Sequence, residues 1–129
     1  MSYFNIKSHA KINSALNVVG KKNSLHKIES IVSFLDLHDE ILVRKTKNRN
    51  HKIKFIGKFS NNIKSKNTVS RLLENIDKKK LLKDKLQIII KKNIPSKAGL
   101  GGGSMNAANI FNFLIKRKLI KIKKKIFKI

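Results

Sequence analysis

Apolar residues fall in short runs through the first half of the chain and at helical spacing through the second. Tyr3 to Ile6 and Ile12 to Val19 are rich in β-branched and aromatic residues and predict two strands. The polar stretch Gly20-Lys21-Lys22-Asn23-Ser24 predicts a turn after them, with glycine free to take unusual dihedrals. Ile28 to Leu37 is apolar on both faces. Leu37-His38-Asp39-Glu40 then predicts a hairpin turn into Ile41-Leu42-Val43. The basic loop Lys45 to Lys52 leads to a further short strand over Ile53 to Phe59.

Beyond this point the period changes. Val69, Leu72, Leu73 and Ile76 lie at i, i+3, i+4 and i+7, which predicts a short amphipathic helix capped by Asn67 or Thr68. Leu86 to Ile90 predicts a strand that ends before Ile94-Pro95, because proline donates no ladder hydrogen bond and disfavours helix in the residue before it. Ala107, Ile110, Phe111 and Leu114 restore helical spacing, and the helix is expected to start near Ser104. The tail from Lys116 to Ile129 alternates Lys and Ile with no stop signal, so the chain is expected to end within an element.

Composition changes this picture only in part. With 129 residues the chain suits one small domain, and without cysteine it has no disulfide, thiolate metal site or cysteine nucleophile. The formal charge of +24 would draw the chain to polyanions. Yet 27 Lys, 19 Ile and 14 Asn rise together while Arg numbers only 4, the pattern of A+T-rich codons rather than of an arginine-rich nucleic-acid reader. No apolar run approaches the ~20 residues of a membrane span, and the first residues lack a signal peptide's apolar stretch. A cytoplasmic protein is expected.

The most informative segment is Pro95-Ser96-Lys97-Ala98-Gly99-Leu100-Gly101-Gly102-Gly103-Ser104-Met105. Four of the chain's six glycines lie within five residues, between a predicted strand and a predicted helix. Such a loop can aim several backbone N–H groups at one anion, with the helix dipole favouring negative charge there and Ser104 adding a hydroxyl. No lysine follows the glycines, so this is not a Walker loop, and Ser104 stands where a dinucleotide fingerprint would need its last glycine. A flexible linker is the plainer alternative.

Residues 95 to 108 resemble the phosphate loop of the GHMP kinases. Within that superfamily, Gly-Leu-Gly-Gly-Gly-Ser followed by Asn106-Ala-Ala is similar to the 4-diphosphocytidyl-2-C-methyl-D-erythritol kinase family. Three further segments resemble that family in order: Ser8-His-Ala-Lys-Ile-Asn13, Leu25-His-Lys-Ile-Glu-Ser30 and Asn67-Thr-Val69. The resemblance implies an α+β domain of the ribosomal protein S5 domain 2-like type, a mixed sheet with helices on one face, spanning residues 1 to 129 and truncated in its last helix.

It also implies a function. ATP with Mg2+ would bind at Asn67 and residues 95 to 105, Lys11 would be the catalytic lysine, and Asn13 and His26 would contact the substrate, His26 at its cytosine edge. The reaction would move the γ-phosphoryl of ATP to the 2-hydroxyl of 4-diphosphocytidyl-2-C-methyl-D-erythritol, a step of non-mevalonate isoprenoid synthesis. Departures accompany the matches. Leu25 stands where the family has a stacking tyrosine, and Met105 replaces a second small residue. The family's catalytic aspartate and its C-terminal domain have no counterpart before Ile129, so the chain is expected to be inactive alone. Asp36, Asp39 and Glu40 are expected to be turn residues, and His9, His38 and His51 structural. The competing readings are a small basic RNA-binding module of similar fold and another GHMP small-molecule kinase. The glycine loop, which RNA binding does not need, argues against nucleic acid as the partner.

Overall fold

The structure, a computed structural model, describes residues 2–22, 25–95 and 102–120, and for 12–35 it describes the backbone pairing alone. The elements in chain order are β1 (Phe4–Lys22), β2 (Leu25–Thr46), β3 (Lys52–Ile56), α1 (Thr68–Lys78), β4 (Lys85–Lys91) and α2 (Gly102–Lys116). The strands form one sheet in the order β1-β2-β4-β3. The β1–β2 and β2–β4 pairs are antiparallel and the β3–β4 pair is parallel. This is the mixed α+β sheet that the resemblance implies.

One face of the sheet carries the core. Along β4 burial alternates, with Leu86, Ile88 and Ile90 inaccessible, as a strand packed on one side requires. Ile41 and Val43 of β2 join them. Val69, Leu73 and Ile76 of α1, with Ile110 and Leu114 of α2, close the core from above. The helix-period residues read from the sequence are therefore the ones that meet the sheet, and both helices lie on the same face of it.

The first two predicted strands are one. Their pairing with β2 reaches from Phe4 opposite Val43 to Lys22 opposite Leu25, so Gly20 to Lys22 continue β1 instead of forming a turn. The predicted hairpin at Leu37 to Glu40 does not exist. These residues run straight through β2, where Glu40 pairs with Lys7 on one side and Lys91 on the other. Polar residues marked a turn here only because their partners lie far away in sequence. The ladder does slip nearby. Ala10 of β1 faces three β2 residues, 35 to 37, between the His9–His38 and Lys11–Phe34 pairs. In that irregular segment His38 Nδ1–H donates to the Asp36 carbonyl at 2.7 Å.

β3 is shorter than the sequence implies and stops at Ile56. Gly57 has φ of +99°, which turns the chain out of the ladder. Of the two candidate caps on α1, Asn67 is the one used. Its side chain accepts from the N–H groups of Val69 and Ser70, each at 3.0 Å, and Ser70 Oγ accepts in return from the Asn67 N–H at 2.8 Å. α2 begins two residues earlier than expected, so Gly102 and Gly103 belong to its first turn rather than to the loop. It ends at Lys116, after which Lys118 takes a left-handed conformation and Ile120 bridges back to Leu82. The tail read from Lys116 to Ile129 without a stop signal thus opens on a helix end, and its residues 121–129 lie outside the described residues.

Candidate functional site

Both helices start at the same end of the sheet. The C-terminal end of α1 is tied to the beginning of β4, because Lys85 Nζ donates to Asp77 Oδ2 at 3.0 Å. Its N-terminus therefore points toward the end of β4. There Thr68 Oγ1, in the first residue of α1, donates to the Gly103 carbonyl in the first turn of α2 at 2.7 Å. The starts of the two helices thus meet beside the carboxyl end of β4, where both dipoles favour an anion, although the Val69 and Ser70 N–H groups of α1 are already taken by the Asn67 cap. The crevice outside the carboxyl ends of strands is also where open α/β sheets place their ligands.

Gly102, in this first turn, has a packing reason. A Cβ on Gly102 would lie 3.2 Å from Ile94 Cγ2 and 3.3 Å from Lys92 Nζ, and one on Gly103 would lie 3.4 Å from Thr68 Oγ1. A side chain at Gly102 would crowd Ile94 and Lys92, whereas a Cβ at Gly103 would only touch Thr68 at ordinary contact distance. Gly57 serves the same end of the sheet, since a Cβ there would lie 2.8 Å from the Lys92 carbonyl oxygen. That carbonyl accepts from Phe59 N–H at 3.4 Å, while Lys92 N–H donates to Ile56 O at 2.7 Å.

Beneath this junction sits a charge pair that sequence reasoning passed over. Asp39 is wholly inaccessible and the Lys92 side chain is only 5% exposed. Lys92 Nζ donates to Asp39 Oδ2. The other carboxylate oxygen accepts from the N–H groups of Asn93 at 2.7 Å and Ile94 at 2.9 Å. Asn93 Nδ2 also donates to His38 O at 3.0 Å. One acidic residue of β2 therefore fixes the three residues that lead into Pro95. Asp39 was expected to be a turn residue, and as one of seven acids in the chain it carried no signal beyond its type.

Lys11 lies in β1 just past the slipped register, half-buried, next to inaccessible Ala10. The path of α2 relates it to the helix N-termini. Phe113 meets Phe4 with ring centroids 5.5 Å apart, and one turn earlier Asn109 Nδ2 donates to Ser8 Oγ at 3.0 Å. α2 consequently runs antiparallel to β1, with its N-terminal turn directed toward the Lys11 end. Asn106, a further turn back and 1% exposed, has a buried Oδ1 with no hydrogen-bond partner among the described residues. At the opposite end of α2 a cavity of about 300 Å³, lined by Phe4, Val43, Leu86, Phe113 and Leu119, lies away from this site.

The remaining expected residues divide in two groups. Pro95, Gly102, Gly103, Ser104, Met105 and Asn67 are gathered at the junction or flank it. Ser96, Lys97, Ala98, Gly99, Leu100 and Gly101 lie outside the described residues. Asn13 and His26 are placed by backbone pairing only, opposite Val32 and Lys21. Among the described residues no group of three or more His, Asp or Glu side chains could hold a metal ion. His9, His38 and His51, expected to be structural, each have partners within the fold. His51 bonds to Asp77 and to the Leu86 N–H, and His9 stacks against His38 with ring centroids 5.1 Å apart. No described helix is long and apolar enough to cross a membrane.

Comparison with known proteins agrees with this geometry. Residues 67–124 match the GHMP kinases N terminal domain, a segment that begins at the α1 cap and includes all of α2. The chain is 59% identical over 125 residues to the 4-diphosphocytidyl-2-C-methyl-D-erythritol kinase of Pelagibacter ubique, covering 96% of this chain and 44% of that protein. It is 36% identical over 117 residues to the kinase of the same name from Anaplasma marginale, covering 88% and 40%. A crystal structure of 4-(cytidine 5'-diphospho)-2C-methyl-D-erythritol kinase superposes with a TM-score of 0.63 at 22% identity, over 93% of this chain and 42% of that one. Homoserine kinase from Cytophaga hutchinsonii superposes with a TM-score of 0.60 at 18% identity, over 97% and 38%. The chain spans less than half the length of each of these proteins. Over residues 67–124 the chain is thus similar to the N-terminal domain of the GHMP kinases, and its fold is the one that the two solved kinases share with it.

Proposed function

We propose that this chain is the ATP-binding portion of a kinase that transfers the γ-phosphoryl group of ATP to the 2-hydroxyl of 4-diphosphocytidyl-2-C-methyl-D-erythritol. The observation that carries the reading is the 59% identity along nearly the whole chain to a relative of that name. The site's own chemistry supports the nucleotide half of it. The N-terminus of α2, its side-chain-free first-turn positions at Gly102 and Gly103, a preceding run of glycines and the dipole of the adjoining capped α1 suit a polyphosphate better than any neutral ligand.

In this reading the residues divide the work of phosphoryl transfer, which rests on positioning and neutralisation of oxygen charge. Asn67 and residues 95 to 105 hold the nucleotide, and the first-turn N–H groups of α2 donate to its phosphate oxygens. Lys11 places its ammonium beside the acceptor oxygen, where it stabilises negative charge on that oxygen during the transfer. Asn13 and His26 orient the acceptor. The exposed hydroxyl of Ser104 would be this chain's ligand to Mg2+, which when bound would supply neutralisation of the phosphate charge.

Two titrations test the proposal, one with ATP and Mg2+ and one with RNA at two salt concentrations. Saturable ATP binding that is abolished by Gly102→Val is expected, because the added side chain would enter the contacts with Ile94 and Lys92. Absence of ATP binding, together with RNA binding that falls steeply with salt, would overturn the kinase reading in favour of a polyanion-binding module. With under half of the relatives' length present, the 129-residue polypeptide alone is expected to show no ATP-dependent phosphorylation of this substrate.

A further inference from the structure

We propose that Asp39 and Lys92 act as one positioning unit, which sets the affinity of the α2 N-terminus for polyphosphate without either side chain touching the nucleotide. The inference rests on the ATP-binding reading above.

Three observations carry it. First, Lys92 Nζ lies directly under the first residue of α2, so near that a Cβ on Gly102 would sit 3.3 Å from it. The height and tilt of the first helical turn are thereby coupled to where this ammonium is held. Second, the ammonium is held by Asp39, whose carboxylate also accepts from the N–H groups of Asn93 and Ile94. Ile94 Cγ2 is the other atom that a Gly102 side chain would meet, at 3.2 Å. One carboxylate thus fixes both surfaces on which Gly102 rests. Third, the pair is almost wholly removed from solvent, with Asp39 inaccessible and the Lys92 side chain 5% exposed.

A buried ion pair of this kind is weak support for stability, because desolvation offsets the attraction. It does specify geometry: two side chains locked to each other and to two amides allow one arrangement of the segment entering Pro95. The neutralised lysine adds no net charge to the site. Its effect on a phosphate runs through the orientation of the first-turn N–H groups of α2, whose partial charges act within the first turn only.

The test is a double-mutant cycle on the full 129-residue chain, with ATP–Mg2+ and adenosine as probes in calorimetric or NMR titrations. Asp39→Asn and Lys92→Met are each expected to weaken ATP binding at least tenfold. The double variant Asp39→Asn/Lys92→Met is expected to be no weaker than the weaker single, the signature of one unit. Adenosine affinity should change less than twofold throughout, since the unit acts on phosphate alone. A general loss of structure would lower both.

If the single variants fail to fold, the double variant decides. It buries no unpaired charge, keeps an acceptor for the Asn93 and Ile94 amides, and must by itself lose tenfold in ATP affinity with adenosine unchanged. Additive losses would overturn the inference by showing that each side chain acts alone. ATP binding equal to that of the unaltered chain would overturn it too, leaving the kinase reading intact. Failure of the unaltered chain to bind ATP would overturn both.

Discussion

The two ends of β4 each carry a carboxylate that ties the strand to its neighbours, and they differ in what surrounds it. At the amino end Asp77, on the last turn of α1, accepts from His51 Nε2 at 2.9 Å and from Lys85 Nζ at 3.0 Å. His51 Nδ1 accepts from the Leu86 N–H at 2.9 Å, so Nε2 carries the proton that goes to Asp77. This cluster is partly open, with the Asp77 and Lys85 side chains about one-third exposed. At the carboxyl end Asp39 and Lys92 are closed off from water. Water can replace the partners at the first end and cannot at the second. The open cluster is a stitch between α1, β4 and the residue that precedes β3, and the closed one governs the helix starts where we place the phosphate.

The comparison can be broken most directly at Asp39. Asp39→Ala leaves a buried ammonium and two amides without their acceptor and is expected to cost about 3–5 kcal/mol. Asp77→Ala, at the open end, should cost about 1 kcal/mol or less. Urea unfolding of both variants checks this, and equal costs would show that burial is not what separates the two ends. Next in size, Gly57→Ala is expected to destabilise by about 2 kcal/mol, because its φ of +99° and the Lys92 carbonyl 2.8 Å from the new Cβ both oppose a side chain. Its thermal midpoint should fall by more than that of an alanine substitution at exposed Lys58.

His51→Ala tests the open end. The Leu86 N–H would lose its acceptor, at an expected cost of about 1–2 kcal/mol, with protection of that amide from hydrogen exchange falling most. The smallest effect is one of pH. Burial works to raise the Asp77 pKa, but hydrogen bonds from His51 and Lys85, with the charge of Lys85, outweigh it and hold it below the ordinary carboxylate value. A depressed folded-state pKa means that the stabilisation is complete above the unfolded pKa and is lost as pH falls through the folded one. Stability should therefore decline below about pH 4, and Asp77→Asn should flatten that part of the profile.

The helices were legible because their information is local. Val69, Leu73 and Ile76 share one face whatever the rest of the chain does, and Asn67 caps the helix through atoms two and three residues away. β4 was legible for a similar reason: an apolar run that stops before a proline has few other meanings. The glycine-rich segment stood out through its residue types and its family resemblance. The stretch from Leu37 to Glu40 was misread. His38 and Asp39 look like turn formers by type, but their partners Asn93, Ile94 and Lys92 lie more than 50 residues away. Lys92 was hidden for another reason, as one lysine among 27.

By itself, then, the sequence determined the order of the main elements, the apolar faces that form the core and the glycine loop with the kinase family it resembles. Each of these depends on residues close together in the chain or on a contiguous motif. The tertiary structure alone decided that β2 runs unbroken through Asp39, that the starts of α1 and α2 meet through Thr68 and Gly103, and that one aspartate and one lysine are closed from water beneath them. A side chain's charge is written in its residue type. Its burial, and so the strength with which it acts on its surroundings, exists only once distant strands have been brought together.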